Sequence, residues 1–349
     1  MRSFEQMLEI FHFECPAVRI FFLNMNYQTI PKAELHVHLD GSLRVNSLLE
    51  LVRQQNLSFP FNTEAGAIKA LCFQPGWDLT RCLNSFATTL QVLQTPENIE
   101  RVTYELCEDL HRDGVTYAEI RYCPSLHLQQ GMDHSDVVNR VASGMSQAEI
   151  DFGITARQIL TILRNFGNDA QVAQEEADAL VRLATSTKHQ GVVGIDLAGD
   201  EYHFPPELFA GVFTYARDAG LHRTVHAGEG GSEMSKNILT SVQVLHAERI
   251  GHGVAARYDP TIVALLRDRN IAVEVCPTSN IHTGSVKDYQ DHPAGYLFDQ
   301  GVTIVPCADN TFLSQTTTSQ EYAHLARHLN FTDKELIKIA RDSFKARFC

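Results

Sequence analysis

The chain is 349 residues long and carries 29 Lys and Arg against 42 Asp and Glu, a formal net charge of −13. With 44% apolar and 20% charged residues it can bury a large core, and it lacks the composition of a disordered chain. The acidic balance, with no stripe of Lys and Arg, argues against a nucleic-acid or anionic-membrane partner, because counterion release needs clustered cations. No apolar run approaches the ~18 residues of a membrane span; the closest, 20–23, is short and follows Arg19.

In chain order, residues 1–24 mix charge and aromatics without the layout of a signal peptide. Met25 stands just before the first patterned segment, so 1–24 are expected to be an upstream extension and 25–349 one domain. The eight Cys, at 15, 72, 82, 107, 123, 276, 307 and 349, form no CxxC pair. That suits reduced thiols in a cytoplasmic protein. Strands are expected at 33–39, 115–123, 153–163, 191–197, 222–227, 248–251, 271–276 and 302–307. Between the first two, 44–112 holds three or four helical runs. One is 77–93, whose Trp77, Phe86 and Leu90 could cover a pocket or pack in the core. Another, 96–113, opens on Pro96 after Thr95 and turns Ile99, Val102, Leu106 and Leu110 to one side. The last helix begins with the capping-box pattern Thr332-Asp333-Lys334-Glu335 and carries Leu336, Ile339 and Ala340 inward. No 20–50-residue repeat or low-complexity linker divides the chain. Eight strands alternating with helices predict an α/β fold, a (β/α)8 TIM barrel with a helical insertion after the first strand. A doubly wound open sheet is the alternative.

The first strand carries the strongest chemical signal. Alternation places Glu34, His36, His38 and Asp40 on one face, where a barrel interior would ordinarily hold Val, Ile and Leu. Burying four such groups without partners costs several kcal/mol each, so something must pair with them. A bare HxH is ordinarily a hydrogen-bonded surface pair, but the setting E-L-H-V-H-L-D-G favours a divalent metal. Further ligands should come from other strand ends at the same barrel mouth. The fifth strand ends at His226 in H-A-G-E-G-G, the sixth runs into Gly251-His252-Gly253, and the eighth ends at Asp309 in P-C-A-D-N. Three His and one Asp suit zinc with a position left for water, whose pKa the metal lowers until it is a nucleophile near neutral pH. No Lys lies near the end of the fourth strand (Ile195-Asp196-Leu197-Ala198-Gly199), so a second metal bridged by a modified Lys is not expected. Glu229, three residues past His226, is free to shuttle protons, and His252 to orient the nucleophile or steady developing charge. Glu34, Asp40, Asp196, Glu229 and Asp309 are all expected near one cation.

These segments resemble, in order, the adenosine deaminase family of the amidohydrolase superfamily. The motifs are Pro31-Lys32-Ala33-Glu34-Leu35-His36-Val37-His38-Leu39-Asp40-Gly41-Ser42-Leu43, 114–122, and Gly194-Ile195-Asp196-Leu197-Ala198-Gly199-Asp200-Glu201. His226-Ala227-Gly228-Glu229, Arg249-Ile250-Gly251-His252-Gly253 and Cys276-Pro277-Thr278-Ser279-Asn280 complete the set. The resemblance implies one zinc ion per subunit on His36, His38, His226 and Asp309, with Glu229 and His252 catalytic. It further implies substrate contacts from His38, from Asp40 near a ribose 5′-hydroxyl, from the Gly199 N–H near purine N3, and from Asn310. Many members carry a second Asp where this chain has Asn310. Purine N7 accepts a hydrogen bond, and an Asn amide donates one at any pH, so the exchange is compatible with the imidazole edge of adenine. The chain ends soon after Asp342-Ser343-Phe344, where relatives often continue, so a terminal packing segment is expected to be lacking. The HxE and PCxxC signature of the cytidine-deaminase type is absent.

The expected reaction is hydrolytic removal of the 6-amino group of adenosine or 2′-deoxyadenosine, a small-molecule purine nucleoside. Related readings are a deaminase of adenine, aminodeoxyfutalosine or N6-methyl-AMP. From other classes come a nucleoside-binding pseudoenzyme, disfavoured because every chemical residue is present, and a secreted signalling relative, disfavoured by length and the lack of a signal segment. The oligomeric state is left open, a monomer being compatible with the sequence.

Overall fold

The computed structural model describes residues 25–74, 77 and 79–349. The expected extension 1–24 lies outside the described residues. Eight strands form one parallel sheet in sequential order: β1 (Lys32–His38), β2 (Val115–Tyr122), β3 (Thr155–Leu163), β4 (Val192–Ala198), β5 (His222–Ala227), β6 (Arg249–His252), β7 (Ala272–Val275) and β8 (Ile304–Pro306). The sheet closes because the Asp309 backbone pairs with β1. His38 N–H donates to Asp309 O at 2.8 Å, and Asp309 N–H donates to His36 O at 2.9 Å. Closure decides for the barrel over the open sheet. β7 and β8 are shorter than expected, by one residue at each end of β7 and by 302, 303 and 307 in β8, although Cys307 N–H still donates to Val275 O at 2.9 Å. Asp309 accordingly stands beyond the end of β8, and Asp40 beyond the end of β1.

Between β1 and β2 lie α1 (Val45–Gln54), α2 (Glu64–Leu71), α3 (Leu79–Val92) and α4 (Pro96–Arg112), the expected insertion. Then come α5 (His134–Phe152) after β2, α6 (Ala170–Ser186) after β3, α7 (Ala210–Asp218) after β4, α8 (Ser235–Gln243) after β5 and α9 (Pro260–Asp268) after β6. α10 (Pro277–His282) and α11 (Ala294–Asp299) follow β7; α12 (Thr318–Leu329) and α13 (Asp333–Ser343) follow β8. Local chemistry sets their ends. Thr95 accepts from Asn98 N–H and Pro96 opens α4, whose Ile99, Val102, Leu106 and Leu110 are buried. Thr332 and Glu335 close the capping box of α13, which buries Leu336, Ile339 and Ala340.

Strand alternation sorts the core into two layers. Leu35, Val37 and Leu39 are fully buried on the side away from the ionisable residues of β1. The barrel interior is charged rather than aliphatic: Arg121 meets Asp196 at 3.2 Å and Glu274 at 2.9 Å, and Arg249 meets Glu274 at 2.6 Å and also Glu119. Each cation faces two carboxylates, which is how such charges survive burial. The last residues of the chain pack on the barrel. Phe348 is buried, with its ring 4.6 Å from His222 and beneath the Arg249 guanidinium at 3.5 Å, and its N–H donates to Glu119 at 2.6 Å.

Candidate metal centre and active site

The C-terminal ends of β1, β5 and the strand-like return after β8 bring three imidazoles and a carboxylate to one point. His38 Nε2 lies 3.3 Å from His226 Nε2 and 3.3 Å from Asp309 Oδ1; His36 Nε2 lies 3.5 Å from the same oxygen. The donor atoms of His36, His38 and His226 lie within 4.8 Å of one another, as do those of His36, His252 and Asp309. His252 and Asp309 hold left-handed backbone conformations, φ 65° and 61°. Such positions cost about 1–3 kcal/mol each in residues with a side chain and persist where the surroundings over-determine them.

The donor set fits a divalent metal such as zinc. His36 is fully buried, yet its Nε2 has no hydrogen-bond partner. Its Nδ1 lies 2.8 Å from Glu274 Oε2, and His226 Nδ1 lies 2.9 Å from Asp196 Oδ2. A carboxylate only accepts, so in both rings the proton sits on Nδ1 and the Nε2 lone pair faces the common point. Ser279 Oγ donates to Asp309 Oδ2 at 2.6 Å, which leaves Oδ1 facing that point as well. Burial and Arg121 push the pKa of His36 down, but its contacts with Asp309 and Glu274 outweigh them and hold it at about 9. With no metal bound, the ring thus takes a second proton on Nε2, the place that a metal ion would otherwise hold. Burial drives His38, His226 and His252 below the ordinary histidine value, as neutral ligands or hydrogen-bonding groups require.

Glu229 sits beside this cluster. Burial raises its carboxyl to about 8, and the charges of Asp309 and Glu201 add to the effect, while a hydrogen bond from Thr283 opposes it. A protonated carboxyl at neutral pH is a proton donor. Glu229 Oε1 receives Thr283 Oγ at 3.1 Å, and its Oε2 lies 3.6 Å from His252 Nε2. Glu201, in the turn after β4, accepts from the N–H groups of Gly228 at 3.0 Å and Glu229 at 2.7 Å, which fixes the loop carrying the acid.

A cavity of about 290 Å³ opens onto these groups, close to the lower end of the ~300–1,000 Å³ usual for small-molecule sites. Phe73, Leu83, Phe86, Leu90, Leu126 and Leu163 make an apolar wall; Asp40, Thr161, Asn165, Gly199 and Asn310 supply polarity. No Lys or Arg lines it among the described residues. Phe86 and Leu90 of α3 therefore cover the cavity, whereas Trp77 packs against the core. Asp40 Oδ1, Thr161 Oγ and Asn310 Oδ1 are buried without partners. Burial lifts the pKa of Asp40 to about 7, and the charge of Asp309 adds to it. Gly199 holds φ 101°, and a Cβ there would strike Asn165 Oδ1; a Cβ on Gly41 would strike Asn310 Oδ1. Both glycines keep backbone close to the cavity.

The structure brings His36, His38, His226, His252, Glu229 and Asp309 together, with Asp40, Gly199 and Asn310 across the cavity. Two expectations change. Glu34 does not join the cluster: its carboxylate accepts from Ala308 N–H at 2.9 Å, Thr318 Oγ at 2.7 Å and His36 N–H at 2.8 Å. Its burial is compensated by hydrogen bonds rather than by a cation. Asp196 reaches the cluster only through His226. Sequence reasoning missed the roles of Glu274, Glu201, Ser279 and Thr283. A signal existed for Glu274, a lone carboxylate in the apolar run I-A-V-E-V-C.

Fold and site together are those of a barrel hydrolase with a place for a metal. The family model described as adenosine deaminase matches residues 31–349. An adenosine deaminase from Clostridium kluyveri is 38% identical over 328 residues, 93% of this chain and 92% of that one. Among solved structures, adenine deaminase from Arthrobacter aurescens superimposes with a TM-score of 0.83 at 27% identity, over 92% of this chain and 94% of that one. An amidohydrolase from Burkhoderia ambifaria with bound Zn gives 0.83 at 27%, over 93% and 87%. The chain belongs to the adenosine deaminase family.

Proposed function

We propose that the protein removes the 6-amino group of adenosine or 2′-deoxyadenosine by hydrolysis, giving inosine or 2′-deoxyinosine and ammonia, with residues 25–349 acting as one catalytic unit. The observation that carries the reading is the Glu229 carboxyl, its pKa raised by burial, beside a convergent His-His-His-Asp set at the end of a cavity that no Lys or Arg lines among the described residues. His36, His38, His226 and Asp309 would hold one zinc ion per subunit. When bound, it supplies the Lewis acidity that makes a water nucleophilic near neutral pH.

Glu229 donates its proton to purine N1, which makes C6 electrophilic. His252 Nε2 faces the same region and orients the attacking water. As the water oxygen bonds to C6, Glu229 takes up one of its protons and passes it to the amino nitrogen; the tetrahedral centre at C6 then expels ammonia, and the remaining O–H proton returns to Glu229 as the C6 carbonyl forms. The Asn310 amide suits N7, an acceptor, and the Gly199 N–H suits N3, also an acceptor. Asp40, buried with an unpartnered oxygen, offers a partner for the ribose 5′-hydroxyl, and His38 borders the same space. A free base would leave Asp40 unpartnered; a phosphate would meet an apolar and acidic wall that, among the described residues, offers no Arg or Lys to bind it. Buried thiols at Cys107, Cys123, Cys276 and Cys307 accord with a cytoplasmic location.

The test is kcat/KM for adenosine, 2′-deoxyadenosine, adenine, N6-methyl-AMP and aminodeoxyfutalosine on the zinc-loaded protein. The two nucleosides are expected to lead. A lead for adenine or for N6-methyl-AMP would overturn the substrate assignment, and no turnover of any would overturn the deaminase reading.

A further inference from the structure

Two buried side chains link a backbone amide to a third, His252. Ala294 N–H donates to His292 Nδ1 at 3.2 Å, His292 Nε2 lies 3.1 Å from Asn280 Oδ1, and Asn280 Nδ2 lies 3.0 Å from His252 Nδ1. His292 is 3% exposed, Asn280 0% and His252 1%, so water does not satisfy these atoms from outside. Sequence gave no hint of the linkage, since His292 stands outside every motif of the barrel mouth.

The donor and acceptor roles along this chain follow one from another. A backbone N–H can only donate, so His292 Nδ1 must present its lone pair. Burial keeps the His292 ring neutral, its pKa driven down to about 3, and its one ring proton therefore sits on Nε2. That proton requires an acceptor, which orients the Asn280 amide with its oxygen towards His292 and its nitrogen towards His252. His252 Nδ1 must then accept, and the His252 ring proton is left on Nε2, 3.6 Å from Glu229 Oε2. The other Asn280 orientation would set N–H against N–H at His292 and would give up the contact from the Asn280 nitrogen to Glu229 Oε1 at 3.5 Å. The chain is held at its start by α11, whose first residue is Ala294, with Pro293 fixing the backbone between the two.

We propose that His292 is a positioning residue which, through Asn280, fixes the tautomer of His252 so that its Nε2–H faces Glu229 and the attacking water. The catalytic consequence rests on the deaminase reading above; the tautomer itself does not. A His252 ring with its proton on Nδ1 would offer a lone pair where the reaction needs a donor, and an Asn280 free to rotate would populate both forms.

The test begins with the unsubstituted, zinc-loaded protein, labelled with 15N in histidine. Long-range 1H–15N correlation spectra are expected to show His292 and His252 each with a protonated Nε2 and a bare Nδ1. A protonated Nδ1 on either ring overturns the proposal. His292→Phe keeps a ring of similar volume but neither nitrogen; His292→Gln returns an amide donor near the former Nε2. His292→Phe is expected to mix the His252 tautomers and to lower kcat by roughly 10–100-fold, the scale of losses from groups that act through another residue. KM for adenosine and the zinc content should stay as they were, and His292→Gln should recover a single His252 tautomer and most of kcat. Unchanged kcat and tautomer in His292→Phe, or a loss explained by missing zinc, overturns the proposal. Should His292→Phe fail to fold, the spectrum of the unsubstituted protein still decides. If that protein does not turn over adenosine, the deaminase reading fails while the tautomer measurement stands.

Discussion

Glu274→Gln tests whether the charged barrel interior serves the metal centre or only the fold. Glu274 is fully buried, and four groups converge on it. Oε2 accepts from His36 Nδ1 at 2.8 Å and Arg121 at 2.9 Å; Oε1 accepts from Arg249 at 2.6 Å and Thr224 Oγ at 3.0 Å. Burial raises its pKa, but Arg121 and Arg249 outweigh that and hold the carboxyl well below the usual range, so it is ionised. A Gln of the same shape has one oxygen, so its NH₂ must face a guanidinium whichever way it turns. Arg121 keeps Asp196 and Arg249 keeps Glu119, yet one negative charge between two buried cations is gone. Loss of one partner from a buried ion pair costs about 3–5 kcal/mol. If the NH₂ turns to His36, Nδ1 must accept, the ring proton moves to Nε2, and the lone pair facing the metal point is lost. Zinc affinity is then expected to fall about 10–100-fold. Urea unfolding reads the first effect, and competition against a graded chelator reads the second. Lower stability with unchanged zinc affinity would refute the link from Glu274 to the metal centre. Unchanged stability would refute the balance of charges.

Two further predictions follow from other buried carboxyls. Glu229→Gln retains an acceptor for Thr283 but cannot release a proton, so kcat should fall about 10²–10⁴-fold with zinc still bound. Near-normal kcat would remove Glu229 from the proton path. Glu321, on α12, is fully buried, and burial lifts its pKa from 4.5 to about 7. Its contribution to stability is complete below pH 4.5 and declines as pH rises through 7, because the folded state binds the proton more tightly than the unfolded. Glu321→Gln should therefore gain on the natural protein by up to ~3 kcal/mol between pH 4.5 and pH 8 in urea unfolding. A difference that does not change with pH would contradict this.

Much of the barrel was legible because its signals are local. Each of the eight strands is a short apolar or alternating run, and the ends of α4 and α13 are written in Thr95-Pro96 and Thr332–Glu335. The candidate ligands were legible too, since a parallel barrel delivers the C-terminal ends of all its strands to one mouth, and His36, His38, His226 and Asp309 lie at or just beyond such ends. What the sequence could not express is which buried polar group meets which. Glu34 and Glu274 are both lone acids on inward strand faces. Only packing shows that Glu34 is met by Ala308 and Thr318 while Glu274 is met by His36 and two arginines. The link from Ala294 through His292 and Asn280 to His252 is likewise invisible in one dimension.

By itself, then, the order of residues determined the strands, their alternation with helices and the convergence of the reactive groups, since these depend on periodicity and chain direction. Tertiary structure alone decided the closure through Asp309, the tautomers of His36 and His226, the raised pKa of Glu229 and the lack of Lys and Arg around the cavity among the described residues. Each of those depends on donor–acceptor distances and on burial, quantities that arise only when residues far apart in the chain are packed together.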